Sequence, residues 1–328
     1  MKQRVYVTRR VPEAGLTMVR KGCDAEIWEA ETPVPRDILL QKVADAEGLY
    51  CLLTEQVDEA LLAAAPRLRV VSNYAVGYNN IDVAACTARG IPVGNTPGVL
   101  TDTTADFAFA LLMSAARRVT EGVTYVRDGR WVTWGPKLLL GVDVYGGTLG
   151  VVGFGRIGQA VARRARGFDM RVLAYDPYSV PQGLDPDLAE LVDLDTLLTE
   201  SDFVSVHVPL TAETERFIGT TEFAKMKPSA ILINTARGPV VDPDALLTAL
   251  QKGRIAGAAL DVTEPEPLPQ DHPLVTLPNC IVTPHIASAS VATRNKMAVI
   301  AAENLLAGLE GSRLPHCVNP EVYGPRQG

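Results

Sequence analysis

Residues 148–165 read TLGVVGFGRIGQAVARRA, and this stretch decides the fold. An apolar run suited to a strand breaks at Gly153-Phe154-Gly155, then gives way to a helical pattern with Gly158 inside its first turn. A glycine triplet of this spacing is weak by itself. Between a strand and a helix it is a dinucleotide-binding fingerprint. Gly153 permits the tight turn, Gly155 lets backbone approach a pyrophosphate, and Gly158 lets helix and strand pack closely. The amides of Arg156 and Ile157 then open the helix, where unpaired N–H groups and the helix dipole favour a diphosphate. The competing reading is a tight turn with no ligand. The next strand, MRVLAYDP, bears on that choice because it ends in Asp176, eighteen residues after Gly158. An acid there accepts hydrogen bonds from the ribose hydroxyls of NAD and repels the 2′-phosphate of NADP. No Arg or Lys follows in DPYSVPQGLDPD to hold that phosphate. The expectation is NAD(H) in preference to NADP(H), set against a turn in which Asp176 merely precedes proline in water.

Working outward, four further apolar runs follow the glycine turn and MRVLAYDP: DFVSVHVPL, SAILINTARG, IAGAALDV and NCIVTPHIA. Six parallel strands with helical crossovers match a dinucleotide-binding fold. Upstream, RVYVT, GLYCLLT, LRVVSNYA and IPVGNT read as strands, with PRDILLQKVADA and DEALLAAAP as helices between them. That β-then-α rhythm implies a second parallel sheet covered on both faces. Residues 101–130 carry sustained helical periodicity, opened by a capping box from Thr103 to Asp106. The irregular, Trp- and Gly-marked WVTWGPKLLLGVDVYGG follows, and SVATRNKMAVIAAENLLAGLEG near the end reads as a long amphipathic helix. The fold class is therefore α/β with two doubly wound parallel-sheet domains, in keeping with a length of 328 residues, which is long for one core.

Composition narrows the function. A net charge of −7 without a Lys/Arg cluster argues against a nucleic-acid partner, and no apolar run approaches membrane-spanning length. The N-terminus, MKQRVYVTRRVPEAG, alternates like a first strand and lacks a signal-peptide core. Cys23, Cys51, Cys86, Cys280 and Cys317 are scattered and form no CxxC. They suit reduced thiols in the cytoplasm and supply neither a disulfide framework nor a metal site.

Ligands of such folds lie outside the carboxyl ends of the strands, so the later strand-end loops are where chemistry is expected. Three stand out: NTARGPVVD with Arg237, DVTEPEP with Glu266, and TPHIAS with His285. Hydride transfer to a carbonyl needs an acid for the oxygen, and histidine suits that role near neutral pH. A carboxylate beside it favours the imidazolium. An arginine fork binds a substrate carboxylate with paired hydrogen bonds. Taken singly, Arg237 could be a surface turn residue and His285 a histidine at the core edge.

The same loops carry a resemblance. NYAVGYNNID, NTPGVLTDTTADFAFALL, VVGFGRIGQAVA, HVPLTAET, INTARGPVVD, AALDVTEPEPLP and TPHIAS resemble the D-2-hydroxyacid dehydrogenases, in particular their glyoxylate/hydroxypyruvate reductase branch, over nearly the whole chain. The resemblance implies a Rossmann cofactor domain (99–288) inserted into a flavodoxin-like substrate domain (1–98 and 289–328). It implies Arg237, Glu266 and His285 as the catalytic trio, with Glu264 a solvated bystander. Substrate contacts would come from Leu53, the amides of Val76 and Gly77, Arg237, His285 and Ser288, with Leu52 and Leu53 walling a compact apolar pocket. Thr104, Pro209, Thr235, Ala236 and Asp261 would line the cofactor beside the glycine turn and Asp176. His207 is taken as structural, and His272 and His316 have no partners in the sequence.

The implied reaction is NAD(P)H-dependent reduction of a small 2-oxoacid, glyoxylate or hydroxypyruvate, to the D-2-hydroxyacid by a homodimer. The dimer contact would use the helix from Thr101 and the loop 131–134, whose tryptophans could equally be core. Many glyoxylate reductases of this branch carry basic or hydroxyl residues after the second strand and prefer NADPH; Asp176 departs from that pattern. Glu266 argues against formate dehydrogenase, where glutamine partners the histidine. D-3-phosphoglycerate dehydrogenase, another D-2-hydroxyacid dehydrogenase, and an NADH-sensing corepressor-like binding protein stay open as alternatives.

Overall fold

The computed structural model describes residues 2–176 and 187–324. The chain divides into two compact units, Met1–Leu100 with Ala289–Gly328, and Thr101–Ser288.

In the first unit, short runs rich in β-branched and aromatic residues form five parallel strands: β1 (Arg4–Val7), β2 (Asp24–Ile27), β3 (Gly48–Cys51), β4 (Val70–Asn73) and β5 (Val93–Gly94). Their order, β2-β1-β3-β4-β5, is the flavodoxin-like arrangement. β3 and β4 are buried throughout, as expected of strands covered on both faces. Helices α1 (Glu13–Gly22), α2 (Arg36–Val43), α3 (Glu59–Ala64) and α4 (Val83–Ala88) make the crossovers. The sequence had suggested four strands. β2 escaped because DAEI alternates exposed and half-buried positions at the sheet edge, so it carries no apolar run.

The second unit opens with α5 (Thr101–Ala116) and α6 (Val119–Arg127), and its sheet holds β6 (Thr148–Val152), β7 (Arg171–Tyr175), β8 (Glu190–Leu191), β9 (Phe203–Val206), β10 (Ile231–Asn234), β11 (Gly257–Leu260) and β12 (Cys280–Val282). The order β12-β11-β10-β9-β6-β7-β8, parallel throughout, is the six-stranded Rossmann order extended at one edge by β12. It has seven strands where the sequence had suggested six; the one missed is the two-residue β8, too short and exposed to leave an apolar signature. The crossovers are α7 (Arg156–Ala165), α8 (Leu194–Glu200), α9 (Thr220–Lys225), α10 (Pro243–Gln251) and α11 (Pro273–Thr276). The strand order reverses between β6 and β9, which is where this fold opens a crevice for ligands.

The stretch 101–130 is two helices rather than one. Arg118 takes φ 53, a left-handed conformation that no helix continues through. The capping box is also displaced: Thr103 already lies inside α5, and Asp106 instead accepts from Arg164 Nε at 2.7 Å. Ala105, Ala108, Phe109, Leu111 and Leu112 of α5 join Ala160, Val161 and Ala165 of α7 in one buried cluster. The last helix, α12 (Val291–Leu309), belongs to the first unit. Its Ala298, Ala301, Ala302 and Leu305 are fully buried. Tyr50, Ser72 and Tyr74 donate side-chain hydroxyls to its Ala298, Ala301 and Arg294 carbonyls, which pins the helix to β3 and to the end of β4.

Candidate active site

The glycine turn follows β6 at the reversal point. Gly153 takes φ 92, and a Cβ there would lie 2.6 Å from Val208 N and 2.7 Å from His207 C, so only glycine fits against the end of β9. A Cβ on Gly158 would lie 2.1 Å from Gly153 O, while one on Gly155 would meet nothing within 4 Å. The three tasks read from the sequence are thus visible as two close packings and one open face. No side chain caps α7, and Gly155 and Arg156 are exposed. Asp176, one strand over, accepts the Phe154 amide on Oδ2 at 2.8 Å, so its carboxylate is fixed at the glycine turn. The run after it that lacks a basic residue, 177–186, lies outside the described residues.

Beyond β9, His207 donates its main-chain N–H to Val152 O at 2.7 Å, and its Nε2 lies 2.8 Å from Ser205 Oγ. Burial drives its pKa down to about 3, so the ring is neutral in ordinary buffers. The exposed Pro209 accepts from Thr214 Oγ1 at 2.6 Å. His272 caps α11 by accepting from Leu274 N.

β10 ends in the buried Asn234. Its Oδ1 accepts from Ala236 N at 3.0 Å and its Nδ2 donates to Arg237 O at 2.9 Å. This side chain closes the turn that presents Arg237. Burial pulls Arg237 below the ordinary arginine pKa, opposed by the charge of Glu266. A Cβ on Gly238 would sit 1.9 Å from Thr263 O, so the loops after β10 and β11 touch backbone to backbone.

In the β11 loop, Thr263 N donates to Glu266 Oε2 at 3.3 Å and Thr263 Oγ1 to Pro265 O at 2.8 Å. The other Glu266 oxygen, Oε1, lies 2.6 Å from His285 Nδ1. Burial acts to raise the Glu266 pKa, but the hydrogen bond and charge of His285, the Thr263 amide and Arg237 leave it below the usual carboxylate range. Glu264 departs from expectation. It is half-buried, and its Oε2 is enclosed without a hydrogen-bond partner. The backbone of residues 263 and 264 lies against Gly238, which keeps this side chain against protein instead of in water.

The three residues expected to act together therefore stand in the loops that follow β10, β11 and β12, adjacent strands of one sheet. His285 and Glu266 are in direct contact, and the positive charge of Arg237 acts on Glu266. Ser288 closes the same unit. Thr104 is buried in the first turn of α5. Thr235 Oγ1 is buried without a hydrogen-bond partner. This hydroxyl, the open face at Gly155 and the uncapped start of α7 fit a bound dinucleotide, whose diphosphate and ribose would meet those groups and Asp176.

In the first unit, Val76 and Gly77 follow β4, and both are partly exposed. Asn95 Nδ2 donates to Val76 O at 2.8 Å, and Asn73 Nδ2 to Gly77 O at 2.9 Å. Asn80 Nδ2 reaches Leu52 O and Glu55 O, while Glu55, 3 % exposed, accepts from Leu52 N and Thr8 Oγ1. This network shapes the loops that carry Leu53 and Gly77. Its residues were not singled out in the sequence, although the asparagines flanking AVGY were the available signal.

A Rossmann sheet with a histidine–carboxylate pair and an arginine at its carboxyl edge, on a chain with a second flavodoxin-like unit, defines a nicotinamide-dependent oxidoreductase. Residues 109–287 match the NAD-binding domain of the D-isomer-specific 2-hydroxyacid dehydrogenases. The chain is 54 % identical over 328 residues to a glyoxylate reductase of Korarchaeum cryptofilum, covering 99 % of this chain and 98 % of that one. It is 50 % identical to a glyoxylate reductase of Thermococcus litoralis, covering 98 % of each. Among solved structures, a Thermus thermophilus protein superposes with a TM-score of 0.91 at 47 % identity, covering 96 % of this chain and 100 % of that one. An NADPH-dependent glyoxylate/hydroxypyruvate reductase of Sinorhizobium meliloti gives 0.85 at 34 %, covering 98 % of each. The chain belongs to the D-isomer-specific 2-hydroxyacid dehydrogenase family.

Proposed function

We propose that this enzyme reduces a small 2-oxoacid, glyoxylate or hydroxypyruvate, to the D-2-hydroxyacid with NADH. The observation that carries the reading is the 2.6 Å contact of His285 Nδ1 with Glu266 Oε1 at the strand edge that also bears Arg237. With Nδ1 committed to Glu266, Nε2 is the nitrogen left to give a proton to the substrate oxygen. Glu266, through that bond, fixes the orientation of the His285 ring. Arg237 holds the substrate carboxylate and polarises the carbonyl, and burial places that attraction in a medium of lower dielectric than water. Val76 and Gly77 are assigned as further carboxylate donors, and Leu53 and Ser288 as substrate contacts. The bound dihydronicotinamide supplies the hydride.

Asp176 favours NADH: its carboxylate, held at the glycine turn by Phe154 N, suits ribose hydroxyls and opposes a 2′-phosphate. The Sinorhizobium relative is NADPH-dependent by name, so both cofactors belong in the assay. Free thiols at all five cysteines support a cytoplasmic protein. Exposed Trp131, Val132 and Trp134 support a homodimer. Initial rates with glyoxylate, hydroxypyruvate, pyruvate and phosphohydroxypyruvate, each with NADH and NADPH, test the reading. The first two with NADH give the highest kcat/KM. Equal or greater efficiency with NADPH removes the role of Asp176, and failure of all four acids removes the reaction.

A further inference from the structure

A trans peptide that is held by its carbonyl has its N–H aimed as well, because the two point in opposite directions within one plane. The loop after β4 uses this at both amides assigned to the substrate carboxylate. Ala75 O, which shares a peptide with Val76 N, accepts from Thr96 N at 2.9 Å. Val76 O, which shares one with Gly77 N, accepts from Asn95 Nδ2 at 2.8 Å. Neither amide donates to a protein acceptor among the described residues, and both residues are partly exposed. The two holds come from consecutive residues just beyond β5, and Asn95 is itself clamped. Its N–H donates to His316 O at 3.2 Å, and its carbonyl accepts at 2.9 Å from Nδ2 of Asn304, a fully buried residue of α12. Asn304 Oδ1 accepts in turn from His316 N at 2.9 Å. A Cβ on Gly94 would lie 2.7 Å from Asn304 Cβ, so β5 ends in glycine where α12 comes this close.

We propose that Asn95 is a positioning residue for substrate binding: its side-chain NH2, locked onto Val76 O, aims the Gly77 amide at the substrate carboxylate. Asparagine suits the task because its NH2 end is a donor and so can face a carbonyl. A hydrogen bond on that carbonyl also polarises the peptide and makes its N–H the stronger donor. Without Asn95 the Val76–Gly77 peptide is free to turn, since glycine on its far side adopts the alternative backbone conformations at no steric cost. The anion then loses one of its two main-chain donors. The hold on Ala75 O is main chain to main chain, so Val76 N stays aimed whatever side chain occupies position 95. This inference rests on the reading of a 2-oxoacid whose carboxylate is bound at Val76 and Gly77.

The test is Asn95→Ala, measured as kcat and KM with glyoxylate and with hydroxypyruvate. The dissociation constant of oxamate, a carboxylate that is not reduced, is read from the NADH-loaded enzyme by fluorescence titration. The carboxylate is held alike in the ground state and the transition state, so a lost donor appears in KM. KM rises at least about tenfold and by the same factor for both acids, oxamate binding weakens with it, and kcat stays within about threefold. A residue that merely supports the loops acts otherwise: it deforms the pocket wall that the two acids meet differently, or it lowers kcat. Factors more than about threefold apart, a loss mainly in kcat, or a KM within about twofold of the parent each overturn the proposal. Should Asn95→Ala not fold, Asn95→Ser keeps a small polar side chain whose hydroxyl stops short of Val76 O, and the same outcomes decide. A parent that turns over neither acid defeats the proposed reaction and this inference with it, whereas an active parent beside an Asn95→Ala of unchanged KM defeats only the positioning role.

Discussion

At the scale of single residues, the proposed reaction gives His285 and Glu266, in contact at 2.6 Å, a joint task. His285→Ala removes the proton donor and lowers kcat about 10²- to 10⁴-fold, while NADH still binds because the glycine turn is untouched; single-turnover kinetics with a binding titration check both halves. Glu266→Gln tests the pairing through pH. The carboxylate lies below its ordinary range in the fold, so its contribution is fully present above that range and is lost only as pH falls through the depressed value. Around neutrality and above it is ionised and holds His285 Nδ1. Glu266→Gln therefore lowers kcat/KM across that range and removes the acid limb set by the carboxylate, and an unchanged profile counts against the pair. The sequence made these residues legible because each lies in a loop after a strand, at the edge where this fold binds ligands. It did not show that Asp261 accepts from the amides of Ile286 and Ala287, since main-chain amides leave no trace in residue identity. Nor did it separate Glu264 from solvent, because the close approach of Gly238 to residue 263 links loops twenty-odd residues apart.

At the scale of elements, the glycine turn gives two substitutions of the same chemistry opposite consequences. Gly153→Ala puts a Cβ 2.6 Å from Val208 N at φ 92, so strain and clash together destabilise the second unit by about 2–3 kcal/mol. Its melting temperature falls by roughly 5 °C or more. Gly155→Ala has open space around its Cβ and melts like the parent, yet it stands where a diphosphate would approach backbone, so NADH binding weakens at least about tenfold. Calorimetry and a fluorescence titration on the two variants separate these effects; equal melting temperatures would remove the packing argument. The turn was readable because a strand, three glycines and a helix are all local. The short strands β2 and β8 were not, because an edge strand that alternates with solvent, or spans two residues, has no pattern to distinguish it from loop. Likewise the break between α5 and α6 hangs on one left-handed residue, Arg118, inside a stretch whose apolar spacing continues across it.

At the scale of the molecule, the segment 119–145 gathers exposed apolar side chains. Val119, Val123 and Val126 of α6 share one face of the helix and are 49 %, 44 % and 54 % exposed, with no residue of α6 buried. Trp131 and Trp134 beyond it are 60 % and 78 % exposed. Scattered apolar side chains on a surface need no explanation, but six large ones within sixteen residues, Val132 included, do. Ordinary core packing, the alternative that the sequence left open for the tryptophans, does not account for such exposure; the proposed homodimer would cover it. A two-fold dimer is the commonest way to cover such a surface, and tryptophans are the residues most often dominant in an interface. Replacing Val123 and Val126 together by aspartate places two charges on that face without touching the sheet or its loops. Light scattering on a sizing column should then report one chain of 35.2 kDa where the parent reports two, with the second unit's melting transition retained. A parent that already runs as one chain at micromolar concentration would rule out the dimer, and a variant that stays paired would place the contact elsewhere on the surface.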